Sequence, residues 1–382
     1  MATEFDIVVI GAGIVGSACA VEFTRLGMSV VQVDPIDPGL GATAAGMGHV
    51  VVMDDSPAQL QLTHYSRQLW DRLAPALPSS CEYRRTGTLW IAADDEEMKE
   101  ILRKHALYTE NGVETEILDQ AGLGRMEPSL SRVMRGALRV PGDGVVYAPE
   151  VARVLSQMAC DAGMRRIADR VVSIGHGIVL LQDGTKLKTQ RIVLAGGEWS
   201  CDLLPELPIK RRKGHLVITD RYPGMVQHQL VELGYLKSAH STEADSVAFN
   251  VQPRSTGQLL IGSSRQYGSE SNAVEHEVIE RMLSRAVLYM PSLRELSVLR
   301  MWTGFRAATP DKLPLIGPWQ SDDTIYLATG HEGLGITTAL ATARLLADRF
   351  GGREPSIAYE PYLPQRASLG APSIAKIGAA RV

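Results

Sequence analysis

The chain opens on a nearly continuous apolar run. Asp6-Ile7-Val8-Val9-Ile10 is a short β-branched run, as a strand buried on both faces requires. Gly11-Ala12-Gly13-Ile14-Val15-Gly16 follows at once. Residues 17–26 read as a helix stopped by Gly27, and residues 29–33 as a second strand closed by Asp34. Further along, apolar periodicity predicts helices over 96–111, 148–162, 273–290 and 338–350. Strand-like runs cover 86–92, 136–147, 215–219, 247–251, 258–261 and 324–328. The sequence from Pro355 onward reads as a polar tail.

The first forty residues form a βαβ unit with G-x-G-x-x-G between strand and helix, the context in which that motif binds a dinucleotide. Gly11 permits the tight turn, Gly13 lets a pyrophosphate approach the backbone, and Gly16 lets helix and strand pack closely. The amides of Ile14 and Val15 open the helix, whose N-terminus favours phosphate. Asp34 stands where a carboxylate binds ribose hydroxyls, and its charge disfavours a 2′-phosphate. The fingerprint alone leaves NAD and FAD open. The loop Gly39-Leu40-Gly41-Ala42-Thr43-Ala44-Ala45-Gly46-Met47-Gly48-His49 has a nearly bare backbone, which suits close approach to a flat ligand.

Fingerprint and loop together resemble the D-amino-acid-oxidase-like FAD superfamily, which includes glycine oxidase, sarcosine oxidase and D-amino-acid dehydrogenases. Three later segments carry the same resemblance: Arg170 to Ile174; Arg191-Ile192-Val193-Leu194-Ala195-Gly196-Gly197-Glu198-Trp199-Ser200; and Trp302-Thr303-Gly304-Phe305-Arg306-Ala307-Ala308-Thr309-Pro310-Asp311. The resemblance implies an α/β fold: a Rossmann-like FAD-binding domain with an inserted α+β substrate-binding domain on a mainly antiparallel sheet. The FAD domain is expected over 1–85, 148–208 and 306–382, and the substrate domain over 86–147 and 209–305. Thr43, Ala44, Ala45, Gly46 and Met47 are expected at the flavin. Val172 is expected at the adenine, and Ala195, Gly196 and Trp199 over the nucleotide. Gly333, Leu334, Gly335, Ile336 and Thr337 are expected at the helix N-terminus facing the flavin. Arg306 is the expected carboxylate ligand, because its planar fork holds a carboxylate bidentately. His49, which ends the flavin loop, is the second catalytic candidate. His215, His331, Tyr235 and Tyr267 are left without assigned roles.

Composition narrows this picture further. A formal net charge of −4 over 382 residues argues against a nucleic-acid partner, and the basic run Lys210-Arg211-Arg212-Lys213 reads as a solvated edge or loop. Cys19, Cys81, Cys160 and Cys201 have neither metal nor cluster spacing, so no metal is expected. No cysteine lies near the Thr309-Pro310-Asp311 motif, so the FAD is expected to be noncovalent. The apolar stretch at residues 7–21 is short and follows Glu4 and Asp6, so it reads as soluble structure. A cytoplasmic chain without a transmembrane segment is expected, membrane-associated only through partner subunits. The segments "AAGMGHVVVMDDS" and "YSRQLW" are most similar to catalytic subunits of bacterial D-hydroxyproline dehydrogenase. That implies oxidation of a small amino acid to its imine, with iron–sulfur or flavin partner subunits as electron acceptor. Two alternatives stay open: an oxygen-using oxidase for glycine, sarcosine or D-amino acids, and a flavin-bearing electron-transfer or structural subunit without its own substrate.

Overall fold

The computed structural model describes residues 4–234 and 245–369. Two eight-stranded sheets organise them. In the first, the β-branched strand Glu4–Ile10 lies between Val30–Val33 and Lys186–Leu194, parallel to both. Asp322–Thr329 and Arg165–Ile167 extend the parallel core, and Leu315–Trp319 adds an antiparallel edge. The hairpin Val171–Gly175/Ile178–Leu181 pairs onto Lys186–Leu194. Helix Ile14–Arg25 packs between Ala148–Asp161 and Gly335–Phe350, burying Ala18, Cys19 and Phe23.

The second sheet runs Val298–Ala308, Lys210–Arg221, Gln258–Tyr267, Ser246–Pro253, Gln229–Glu232, Thr88–Ala92, Gly136–Val140, Glu116–Asp119. Every pairing is antiparallel except Gln229–Glu232 with Thr88–Ala92. Helix His276–Tyr289 covers one face through Ile279, Met282 and Ala286, against Phe249 and Val251. The mixed α/β architecture is the expected one. Arg306 lies inside the strand Val298–Ala308 of the second sheet.

Three local expectations are corrected. Helix Pro57–Leu73 lies in a stretch with no predicted element. Its start is written in Ser56, whose hydroxyl accepts from Gln59 N at 3.1 Å, and in Pro57 at the first turn. The basic run is not a solvated loop but opens the strand Lys210–Arg221. Lys210 and Arg211 are exposed, whereas Arg212 and Lys213 are buried and ion-paired, with Glu332 and Glu275 respectively. The segment after Pro355 is not a loose tail as far as Leu369. Tyr362 is fully buried, and Arg366 grips Asp311 with two bonds of 2.7 Å.

The last helix is joined to Pro57–Leu73 in an unusual way. Ser66 enters its backbone ladder: the hydroxyl donates to Thr337 O at 2.6 Å and accepts from Ala341 N at 3.2 Å. Trp70 Nε1 also donates to Thr337 O, at 2.9 Å. The first turn of the last helix is thus held by a neighbouring helix as well as by its own hydrogen bonds.

Candidate active site

The parallel strands of the first sheet end at a cavity of about 410 Å³, and the second sheet roofs it. Ligands of open α/β sheets bind at this position, where loops leave the carboxyl ends of strands. Gly11, Gly13, Ile14 and Val15 line the floor, with Asp34 at the tip of the second strand. Gly11 has φ +108°, and a Cβ there would stand 2.5 Å from Ala195 O. Gly16 faces the strand instead of the cavity; its Cβ would stand 2.1 Å from Gly11 O. The two glycines let helix and strand touch, and Gly13 leaves the approach to the helix bare.

Two helix N-termini converge on the cavity. Ile14–Arg25 starts at Gly13 and Gly335–Phe350 at Leu334; neither N-cap residue supplies a side-chain bond, and of the first helix's amides Ile14 N is taken by Thr43 Oγ1. Uncapped first-turn amides carry partial positive charge and favour an anionic ligand. Asp34 Oδ2 accepts from Ala12 N at 2.6 Å and Oδ1 from Ile36 N at 3.0 Å, which fixes the carboxylate at the cavity edge. Burial raises its pKa against these donors.

The glycine-rich loop folds into the short helix Ala42–Ala45 and the short strand His49–Val50. Thr43, Ala45, Gly46, Met47 and His49 line the cavity, and Ala44 turns away. Thr43 Oγ1 accepts from Ile14 N at 3.1 Å. From the roof, Gln252 Nε2 donates to Met47 O at 2.5 Å and Trp302 Nε1 to Ala45 O at 3.3 Å. Ala195, Gly196 and Trp199 line the opposite wall. The last helix contributes Gly333, Gly335 and Ile336. Leu334 and Thr337 do not reach the cavity. Thr337 Oγ1 instead donates to His49 O at 2.9 Å and accepts from Val51 N at 3.2 Å, bolting helix to loop. Val172 is 46% exposed, and its neighbours Arg170 and Val171 line the wall.

Arg306 lines the cavity from the second sheet. Its Nη1 donates to Ser264 O at 3.1 Å. The guanidinium lies over Gly214, where a Cβ would stand 2.4 Å from Nη1. Gly214, Asn250 and Glu332 join the lining without having been singled out in the sequence. Only the excess of glycine in the "HEGLG" segment hinted at Glu332.

Burial disfavours the charged form of His49 and His331. Burial depresses His49 to about 4, and the Arg306 guanidinium adds to that. Burial depresses His331 to about 3; its Nε2 meets Thr342 Oγ1 at 2.9 Å on the cavity wall. His215 is a packed core residue, bonded to Ser264 Oγ at 3.0 Å and accepting from Glu275 N at 3.1 Å. Tyr267 binds Arg212 Nη1 at 3.2 Å, and it does not line the cavity. Tyr235 lies outside the described residues.

A histidine held neutral in the fold adds stability that is complete above its ordinary value of about 6.5. That stability is lost as the pH falls from there toward the depressed folded value. His331→Gln is therefore expected to flatten the rise of unfolding free energy between about pH 4 and 6.5, by about one proton. Urea denaturation of wild type and variant at several pH values checks this; parallel pH profiles would contradict it.

The pattern of the family described as FAD dependent oxidoreductase matches residues 6–349. The chain belongs to that family. Glycine oxidase of Pseudomonas aeruginosa is 28% identical, over 94% of this chain and 98% of the relative. Hydrogen cyanide synthase subunit HcnC of the same organism is 25% identical, over 91% and 92%. The crystal structure of glycine oxidase from Geobacillus kaustophilus superposes with a TM-score of 0.85 at 25% identity, covering 95% of this chain and 99% of that one.

The enzyme is thus an FAD-dependent oxidoreductase, and the cavity fits the cofactor. Two uncapped helix N-termini suit its two electron-rich parts, the pyrophosphate and the flavin pyrimidine ring, and Asp34 suits the ribose. Cys19, Cys81, Cys160 and Cys201 do not line the cavity, so no thioether to the flavin forms. Among the described residues, no helix is long and apolar enough to cross a membrane.

Proposed function

We propose that this flavoenzyme oxidises a small amino acid to its imine, with cis-4-hydroxy-D-proline or D-proline as substrate, and passes the electrons to partner subunits. The observation that carries the reading is Arg306, a guanidinium set over Gly214 at the roofed end of a flavin-sized cavity. A bidentate fork there fixes a substrate carboxylate and so orients the adjacent Cα. Bound FAD supplies the hydride acceptor at N5. His49 and His331, held neutral, add no second positive charge that would compete for the carboxylate. Burial from water, with the Arg306 charge nearby, favours the uncharged amine, the form that releases hydride without a general base. The roof contacts from Gln252 and Trp302 fix the loop that carries Met47 and His49. Gly13, Ile14, Val15 and Asp34 would hold the nucleotide, as would Ala195, Gly196, Trp199 and, for the adenine, the backbone at Val172. Thr43, Ala45, Gly46, Met47, Gly333, Gly335 and Ile336 would face the flavin.

The hydroxyproline assignment draws on the segments around Met47 and Trp70, and the electron-transfer partners on the likeness to a named subunit of a synthase. A second reading, an oxygen-using glycine, sarcosine or D-amino-acid oxidase, is favoured by the glycine oxidases among the relatives. Anaerobic mixing with cis-4-hydroxy-D-proline, D-proline, their L-forms, glycine and sarcosine separates the two. Flavin absorbance near ~450 nm, the cofactor's own band, is the readout. Bleaching by the D-imino acids with slow recovery in air is expected. Bleaching by glycine or sarcosine alone, with fast recovery and peroxide, would replace the first reading with the second.

A further inference from the structure

A second cavity, of about 350 Å³, opens at the end of the second sheet, and no described residue lines both it and the flavin cavity. It lies where the parallel pair Thr88–Ala92 and Gln229–Glu232 begins, beside the turns that follow Lys210–Arg221 and Ser246–Pro253. Main-chain bonds fix these segments to one another. Gln229 N donates to Gly87 O at 3.0 Å, Gly87 N to Asp143 O at 2.9 Å, and Tyr222 N to Gly257 O at 2.7 Å. A cavity framed in this way is ready for a ligand without rearrangement.

Its charge is one-sided. Arg84, Arg85, Arg139 and Arg254 line it, and among the described residues no carboxylate does. Three of these arginines meet an acid that stays outside the lining. Arg254 Nε lies 3.0 Å from Glu82, Arg139 Nη1 3.0 Å from Glu116, and Arg85 Nε 3.9 Å from Asp71. A guanidinium carries five N–H donors, so each pair leaves donors over. Arg84 is exposed and has no ion pair among the described residues. Two buried polar atoms of the lining residues, Arg139 Nε and Thr86 Oγ1, also have no hydrogen-bond partner among them, although Thr86 is only 9% exposed. Such groups cost stability until something bonds to them. His228 adds a further polar edge. Glu127 Oε1 holds its Nδ1 at 2.7 Å, together with Gln227 N at 2.9 Å and His228 N at 2.7 Å. The imidazole so held lines the cavity, and Nε2 is the nitrogen left to meet a ligand. The remaining wall is apolar, from Pro223, Val226 and Leu259 with the ring of Tyr222.

We propose that this second cavity is a binding site for a phosphate dianion, free or as the head of a small phosphate ester. The cations come from separate segments, at 84–85, 139 and 254, and so approach from several directions. A tetrahedral phosphate presents three acceptor oxygens to such a set, whereas a planar carboxylate faces one fork. The apolar wall favours the ester, whose organic body it would cover. The site is separate from amino-acid oxidation, and it does not rest on Arg306 or on the substrate assignment.

Calorimetric titration of the FAD-loaded enzyme at fixed ionic strength tests it, with inorganic phosphate, phenyl phosphate and acetate as probes. Wild type is expected to bind one phenyl phosphate per chain, with half-saturation at or below about 1 mM, and acetate about tenfold or more weakly. Phenyl phosphate binding tighter than inorganic phosphate supports the ester as ligand; equal binding supports free phosphate. Arg84→Met and Thr86→Val are each expected to weaken phenyl phosphate about tenfold. FAD content should be unchanged in both, because neither residue lines the flavin cavity. Absence of saturable phosphate binding in wild type overturns the proposal. So does acetate binding as tight as that of phosphate, or a phosphate affinity that either folded variant leaves unchanged. If Thr86→Val does not fold, Arg84→Met, which alters an exposed side chain, decides alone.

Discussion

Arg306→Ala is expected to weaken substrate binding by on the order of 2–5 kcal/mol, about 30- to several-thousand-fold, the usual cost of removing a charged fork from a desolvated pair. The loss should appear in the substrate concentration that half-saturates flavin reduction. FAD content should stay intact, because Arg306 belongs to the roof strand and the nucleotide floor lies across the cavity. Arg306→Lys should recover only part of the affinity. A lysine keeps the charge and loses the planar fork, and it cannot both donate to Ser264 O, as Arg306 does at 3.1 Å, and hold two carboxylate oxygens. Unchanged affinity in Arg306→Ala would remove the residue from the carboxylate site. It would equally support the alternative of a flavin-bearing subunit without its own substrate, if partner-dependent electron flow were then impaired.

Gly13→Val is expected to abolish FAD retention while leaving the chain folded. Gly13 has φ −65° and ψ 176°, extended backbone open to any residue, so valine introduces no strain in the turn. A Cβ there would stand 3.3 Å from Thr43 Oγ1, a gap that a small shift of the threonine relieves. The added methyl groups would fill the space above the uncapped helix amides, where a pyrophosphate must come close. Flavin content after purification should fall from stoichiometric to background, with far-UV circular dichroism unchanged. Gly16→Val should behave differently and misfold, because its Cβ would collide with Gly11 O at 2.1 Å. A yellow Gly13→Val protein would contradict the placement of the pyrophosphate.

The difference between these glycines shows which parts of the protein were readable in advance. The βαβ start is local: strand, turn and helix follow one another within thirty residues, and each carries its own signature. Arg306 was readable for a similar reason, because it stands inside a contiguous motif. Glu332 and Gly214 were not. Their significance lies in the strand pairing that sets Arg212 against Arg306, and pairing between segments some ninety residues apart leaves no local trace. The basic run misled for the same reason. Arg212 and Lys213 look like solvated charge until the acids that pair with them, Glu332 and Glu275, are brought from elsewhere. The Thr337 hydroxyl serves His49 O and Val51 N, links that only the folded chain brings together.

The intrusion of Ser66 into the last helix bears on how the protein comes apart. Helix Pro57–Leu73 and the first turn of Gly335–Phe350 are almost three hundred residues apart in sequence, yet Thr337 O is held by Ser66 and Trp70. Neither helix can fray alone, because opening one strips hydrogen bonds from the other. The two segments form one cooperative unit, and their amides should exchange with solvent deuterium together rather than in sequence. Folding must close that long loop before the flavin-facing helix acquires its finished first turn. A nascent chain lacking its C-terminal region has neither the helix terminus that faces the flavin nor the packing of Gly335–Phe350 against Ile14–Arg25.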